Sequence, residues 1–177
     1  MAKFHTGIDI GTYHVKVVIT AAPEHPHHPL RIISTGAAVP KGMRHGYITN
    51  TADATHSIVE ALERASKAAN VRVRSARVAI GGVGLDELRA SGEVSLTTSG
   101  GEVTERDVER VLQESEKRSS AKLVNRKVIH AIPLAFKLDG NDILGRPIGM
   151  RGPKPSVAAR LITAFEQHVH DLIAAVE

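Results

Sequence analysis

The sequence predicts an α/β chain that carries a smaller strand, helix, strand, strand unit of α+β type inserted within it. Three observations predict this. Three runs rich in Ile, Val and Ala precede a segment with apolar residues at helical period, which leads to a short apolar strand. A meander followed by a crossover helix is how an α/β sheet opens, with the helix on one face. From Leu88 to Thr163 the order becomes strand, helix, strand, strand, and the chain then closes on a second helix-period segment. A length of 177 residues fits one domain, or a small domain with another set in it.

Phe4 to Ile10 and Val15 to Ala21 read as two strands joined at Gly11-Thr12-Tyr13-His14, a hairpin with a glycine at its tight turn. Pro23 to Pro29 breaks the chain; its His25, His27 and His28 are of a metal-ligand type. Three prolines hold this backbone extended and no further ligand sits at a fixed offset, so a solvated loop is expected. Arg31 to Val39 makes a third strand, followed by Pro40 to Tyr47, a loop with two glycines and three basic side chains. Ala54, Ile58, Ala61, Leu62 and Ala65 fall on one helical face, with Thr51 or Asp53 available as the cap and Asn70 able to end the helix. Arg77 to Ile80 is the fourth strand, ending at Gly81-Gly82.

Leu88 to Thr97 alternates, with Val94 and Leu96 set against Glu93, Ser95 and Thr97, as in a strand with one wet face. After Gly100-Gly101, Thr104 with Asp107 three later resembles a capping box with a shorter acid, opening a helix to about Arg118 with a thin stripe of Val108, Val111 and Leu112. In Val128 to Leu138, Ile132, Leu134 and Phe136 are expected to share a face, while Pro133 removes a ladder donor and marks an edge or a bulge. Asp139-Gly140-Asn141 turns the chain, Gly145 to Pro155 is a loop, and Val157 to Thr163 is a further strand. Phe165, Val169, Leu172, Ile173 and Val176 repeat the helical spacing. The polar face of that last helix holds no Lys or Arg, so it packs on a core and does not lie on a membrane.

Composition narrows the function classes. With Cys 0 there is no disulfide, thiolate metal site or cysteine nucleophile. Lys+Arg 23 against Asp+Glu 19 leaves a net +4, but the charges are scattered, and Phe 3 with Tyr 2 leaves few rings for stacking bases; no nucleic acid is expected as a partner. No apolar run is long enough to span a membrane, and Met1 to Lys3 does not open a leader peptide, so a cytoplasmic protein is expected. No Ser and His are placed as a nucleophile elbow or a metalloprotease helix, so no catalytic residue is assigned.

The chemically informative stretch is Asp9-Ile10-Gly11-Thr12-Tyr13-His14-Val15-Lys16. A glycine at the turn lets backbone approach an anion, N–H groups and a hydroxyl can donate to phosphate oxygens, and a lysine adds a point charge. An aspartate at the end of the first strand can hold a metal-bound water, as Mg²⁺ prefers. By spacing alone, an Asp-x-Gly-Thr hairpin is more often a plain turn.

Ile8-Asp9-Ile10-Gly11-Thr12 with Lys16 resembles the first phosphate hairpin of the actin-like ATPase superfamily, and much else is similar to its FtsA family of bacterial cell division proteins. The supporting stretches are Gly42 to Ile48 and Val78 to Gly82, then Gly101-Glu102-Val103-Thr104, His130-Ala131-Ile132-Pro133 and Pro147 to Gly152, which are similar to that family's inserted subdomain. The resemblance implies a partial actin-like (ribonuclease H-like) lobe. Residues 1–82 would be its first part, subdomain 1A; 83–164 the inserted subdomain of 1C type; and 165–177 a helix returning to the lobe. It also implies a protein that binds ATP and Mg²⁺, hydrolyses ATP weakly at most, tethers the FtsZ ring to the cytoplasmic face of the inner membrane, self-associates and recruits late division proteins through the insert. Asp9, Gly11, Thr12 and Lys16 would be its phosphate and magnesium residues. Tyr13 and His14 stand where the family has small residues.

In that family the second phosphate hairpin, the adenosine pocket and the FtsZ-binding surface belong to a second lobe, and an amphipathic C-terminal helix supplies the anchor. Neither falls within these residues, so the chain is expected to be a fragment that binds ATP weakly and leaves the edge beside Arg77 to Ile80 bare. The alternatives are a PilM-like pilus assembly relative, a sugar kinase, for which no general base is found, and a module that docks a peptide on the insert's sheet edge beside Pro133.

Overall fold

In the computed structural model, which describes residues 4–23, 25, 27–82, 84–96 and 101–177, alternation of buried and exposed residues, broken at bulges, sets both sheets. Met1 to Lys3, Glu24 and Pro26 of the proline and histidine stretch, Val83 at the start of the expected insert, and Thr97 and Gly100 lie outside the described residues. The chain divides into two units: one runs to Gly84 and takes in Gln167–Glu177, and the other is Leu85–Glu166. The α/β chain with an α+β insert expected from the sequence is the architecture observed.

In the first unit β1 (Phe4–Ile10), β2 (Val15–Ala21) and β3 (Arg31–Ala38) form an antiparallel meander. A small hairpin follows, β4 (Met43–Arg44) and β5 (Tyr47–Ile48), where the sequence indicated only a loop. Helix α1 (Thr51–Ala69) then crosses over to β6 (Arg77–Ala79), which pairs parallel to β1 and gives the order β3-β2-β1-β6. Among the described residues, β6 is therefore an edge.

Ile8, Ile10, Val15, Val17 and Ile19 point to one face and pack with Ala54, Ile58, Ala61 and Ala65 of α1. The cap of α1 is Asn50, and neither Thr51 nor Asp53. Asn50 has extended backbone and its side chain accepts the Asp53 N–H at 3.2 Å, which leaves Thr51 as the first helical residue. Asn70 ends the helix in the left-handed region, at φ 51°.

The second unit contains β7 (Asp86–Glu93), α2 (Glu105–Arg118), a 3₁₀ turn (Ser120–Lys122), β8 (Arg126–Leu138), β9 (Asn141–Ile143) and β10 (Pro155–Phe165), in the sheet order β7-β10-β8-β9. The expected strand Leu88 to Thr97 starts two residues earlier and stops at Glu93. Beyond it the Val94 and Leu96 amides still donate to Pro155 and Pro153 carbonyls at 3.2 and 2.8 Å. Ile132, Leu134 and Phe136 do not share a face. The ladder with β10 slips once between Pro133 and Ala135, leaving Leu134 extra, and again between Val128 and His130, leaving Ile129 extra. Each slip reverses the side-chain alternation, so Phe136 is buried while Ile132 and Leu134 are exposed. The chain ends in α3 (Glu166–Val176), whose Leu172 and Ala175 join the core of the first unit.

The capping box at α2 forms as expected. Thr104 Oγ accepts the Asp107 N–H at 3.3 Å, and the Thr104 hydroxyl and N–H donate to Asp107 at 2.6 and 3.0 Å. These bonds, with Arg110 beside the carboxylate, hold the Asp107 pKa below its ordinary value. Because the folded value lies below the unfolded one, the contribution is full above the unfolded pKa and is lost as pH falls through the folded pKa. Thr104→Ala should cost about 1 kcal/mol at neutral pH and flatten the acid limb of the stability curve. Equal urea midpoints for the two proteins at neutral pH would contradict this role.

Candidate functional site

Asp9 lies between buried Ile8 and Ile10 on β1, and Lys16 between buried Val15 and Val17 on β2. Alternation therefore turns both side chains to the sheet face opposite α1. The hairpin register places them directly across from each other, with Lys16 Nζ 3.8 Å from Asp9 Oδ2, and both are largely exposed. They stand at the rim of an open groove of about 890 Å³ whose floor is made of small or apolar residues, among them Gly7, Val18, Ala37 and Ala79.

The tip between the strands is tied to its own backbone and to a second loop. The Gly11 N–H donates to the His14 carbonyl at 3.1 Å, and a Cβ at Gly11 would lie 3.2 Å from that oxygen. Gly11 therefore offers close approach, while its amide is already used. Thr12 Oγ accepts the Gly46 N–H at 2.7 Å, which leaves the hydroxyl proton able to donate outward. Tyr13, at the apex, is 85% exposed.

Gly46 belongs to the β4–β5 hairpin, closed by Thr49 and Asn50 amides on the Gly42 carbonyl at 2.7 and 3.1 Å. Gly42, His45 and Gly46 all have positive φ. Gly46 also abuts Gly82: a Cβ at 46 would come within 3.2 Å of the Gly82 Cα. Three stretches far apart in sequence, 11–14, 42–48 and 81–82, thus meet at one place. The Tyr47 ring lies edge-on to His168 of α3, with centroids 4.9 Å apart; His168 is buried and its Nδ1 makes no hydrogen bond.

The donor set fits one side of a magnesium nucleotide: an ammonium for phosphate, a hydroxyl donor, and a carboxylate for metal-bound water. Among the described residues, no group of three His, Asp or Glu is arranged to hold a metal ion directly. His25 and His28 instead stack edge to face across a turn in which the His28 N–H donates to the His25 carbonyl at 3.0 Å. The sequence expectation named Asp9, Gly11, Thr12 and Lys16; the Thr12–Gly46 bond and the Gly46–Gly82 contact depend on tertiary approach and left no signal beyond the glycines themselves.

A family model described as the SHS2 domain inserted in FtsA matches residues 84–163. The cell division protein FtsA of Streptococcus pneumoniae is 31% identical over 98% of this chain and 37% of its own length. That of Bacillus subtilis is 27% identical over 99% of this chain and 39% of its own length, and that of Escherichia coli 25% over 99% and 40%. The chain thus spans about two fifths of the length of these relatives. A chain of the PilM-PilN type IV pilus biogenesis complex superposes with a TM-score of 0.63 over 97% of this chain and 43% of its own, at 14% identity, a likeness that shows the fold alone: an actin-like lobe. The family model matches the insert and FtsA proteins match nearly the whole of this sequence, so the chain is similar to the FtsA family of cell division proteins along its length.

Proposed function

We propose that this chain works as part of an actin-like, ATP-binding protein that links the FtsZ ring to the cytoplasmic face of the membrane, self-associates and brings later division proteins to the septum. Residues 1–82 and 165–177 would build the nucleotide lobe, and 83–164 the insert that meets partners. The observation that carries the reading is the Asp9–Lys16 pair set beside a hairpin tip that Thr12 fastens to Gly46.

Lys16 would contact phosphate, the Thr12 hydroxyl would donate to a phosphate oxygen, and Gly11 would permit close approach. Asp9 would hold a magnesium-bound water, because Mg²⁺ keeps several waters and takes few protein ligands. When bound, Mg·ATP supplies dense negative charge and a hydrolysable anhydride. FtsZ and membrane contacts would be made by parts of the protein outside these residues. No helix among the described residues is long and apolar enough to cross a membrane.

The test is to tag the protein at its own locus and image dividing cells. It should gather at the septum with FtsZ and disperse when FtsZ is depleted. Uniform staining, or foci that persist without FtsZ, would overturn the reading.

A further inference from the structure

Strand β8 pairs with β10 along its length, yet on its other side β9 covers only Phe136–Leu138. From Lys127 to Ala135, among the described residues, no strand pairs with that edge, whereas the Arg126 N–H just before it already donates to the Leu123 carbonyl at 3.1 Å. Hydrophobic side chains stand along it: Ile132 is 44% exposed, Leu134 49%, and Val124, just before the strand, 69%.

The charge that β8 and the turn before it themselves carry is of one sign. Acids reach it from other segments: Glu166, whose N–H donates to the Asn125 carbonyl at 3.0 Å, and Asp142, paired with Lys137. From Lys117 to Leu138 the sequence holds six Lys and Arg, with His130, and not one Asp or Glu. Three of the six are engaged: Arg118 with Glu114, Lys137 with Asp142, and Arg126 with Thr163 and the Phe165 ring. Lys122 and Lys127 make no ion pair among the described residues, so the free edge keeps positive charge beside apolar surface.

We infer that this edge of β8 accepts an extended acidic segment of another protein as an added strand, with its main chain hydrogen-bonded to β8 and its carboxylates beside Lys122, Lys127 and His130. Main-chain pairing at an open edge supplies affinity, while side chains select the partner. Like charge opposes a second copy of the same edge, and an edge lysine with bulges is how sheets discourage self-pairing. A peptide alternating glutamate with apolar residues meets both features. The inference rests on reading the insert as the part that meets partners.

The probe is a labelled nonapeptide alternating Glu with Val or Thr, tested on the whole chain by fluorescence anisotropy and amide hydrogen exchange, beside a peptide with Lys for every Glu. The acidic peptide should bind and slow exchange between residues 127 and 135, and the basic one should not bind. Lys127→Glu together with His130→Glu should weaken binding tenfold or more. Equal binding of both peptides, indifference to the double variant, protection elsewhere, absence of binding, or self-association through β8 would each overturn the proposal. The wider reading fails separately, if late division proteins still reach the septum in cells whose protein lacks residues 86–165.

Discussion

Replacing Gly36 by alanine should strongly destabilise the unit built on β1, β2, β3 and β6, and Gly92→Ala should do the same to the other unit. A Cβ at Gly36 would lie 2.1 Å from the Ala61 carbonyl oxygen and 2.8 Å from the Ala65 nitrogen, and both alanines are fully buried. The neighbour is helix backbone, which cannot rotate aside, and α1 is also pinned to β3 by the Ser34 hydroxyl donating to the Ala65 carbonyl at 2.7 Å.

The second unit repeats the device: a Cβ at Gly92 would meet the Val111 oxygen at 2.2 Å and the Ser115 nitrogen at 2.6 Å on α2. Ordinary overpacking costs about 1–3 kcal/mol. Here a whole helix must lift off its strand, so each substitution should cost at least the upper end of that range, a large part of a typical stability of about 5–15 kcal/mol. The loss in Tm should be roughly 10 °C or more.

Gly81→Ala is the control, because nothing lies within 4 Å of its added Cβ and its φ is not positive. Hydrogen exchange read separately over residues 4–82 and 86–165 will show which unit opens. A Gly36→Ala protein that melts with the Gly81→Ala control would refute the close-contact argument.

These two glycines show why parts of the fold were legible from sequence and others were not. Periodicity reports what a residue does for its own element: Ile8, Ile10, Val15 and Val17 announce buried strand faces, and Thr104 with Asp107 announces a helix start, because the physics involved is local. Gly36 and Gly92 look like breaks in such patterns; their reason is a helix crossing at contact distance, which only the tertiary structure contains.

The bulges at Ile129 and Leu134 are invisible for a related cause. A slip in register is a property of the pair β8–β10, and reading β8 alone with period 2 put Ile132 on the wrong face. Asn50, Thr51 and Asp53 are all good cap residues, and which of them caps α1 depends on where the Gly42 carbonyl draws in the Thr49 and Asn50 amides. At the candidate site the four named residues could be picked from the hairpin, whereas the partner of Thr12 is thirty-four positions away.

The site itself makes the second large prediction: Lys16→Ala should lower Mg·ATP affinity by about tenfold to a hundredfold, with stability almost unchanged. A hydrogen bond to a charged group contributes about 1.5–3 kcal/mol, which converts to that range. The side chain is 65% exposed and its ion pair with Asp9 is a surface pair, so removing it should cost the fold little.

Asp9→Asn separates the magnesium role from simple charge. If the nucleotide sits at this hairpin, the carboxylate would repel its phosphates in the absence of Mg²⁺, so Asp9→Asn should bind bare ATP more tightly than the parent protein. With Mg²⁺, the carboxylate would hold a metal-bound water, and the same variant should bind more weakly. Calorimetry with and without Mg²⁺ reads both signs. A Lys16→Ala protein with unchanged affinity, or an Asp9→Asn protein that shifts the same way in both conditions, would move the nucleotide away from this hairpin and leave Thr12 with only its structural bond to Gly46.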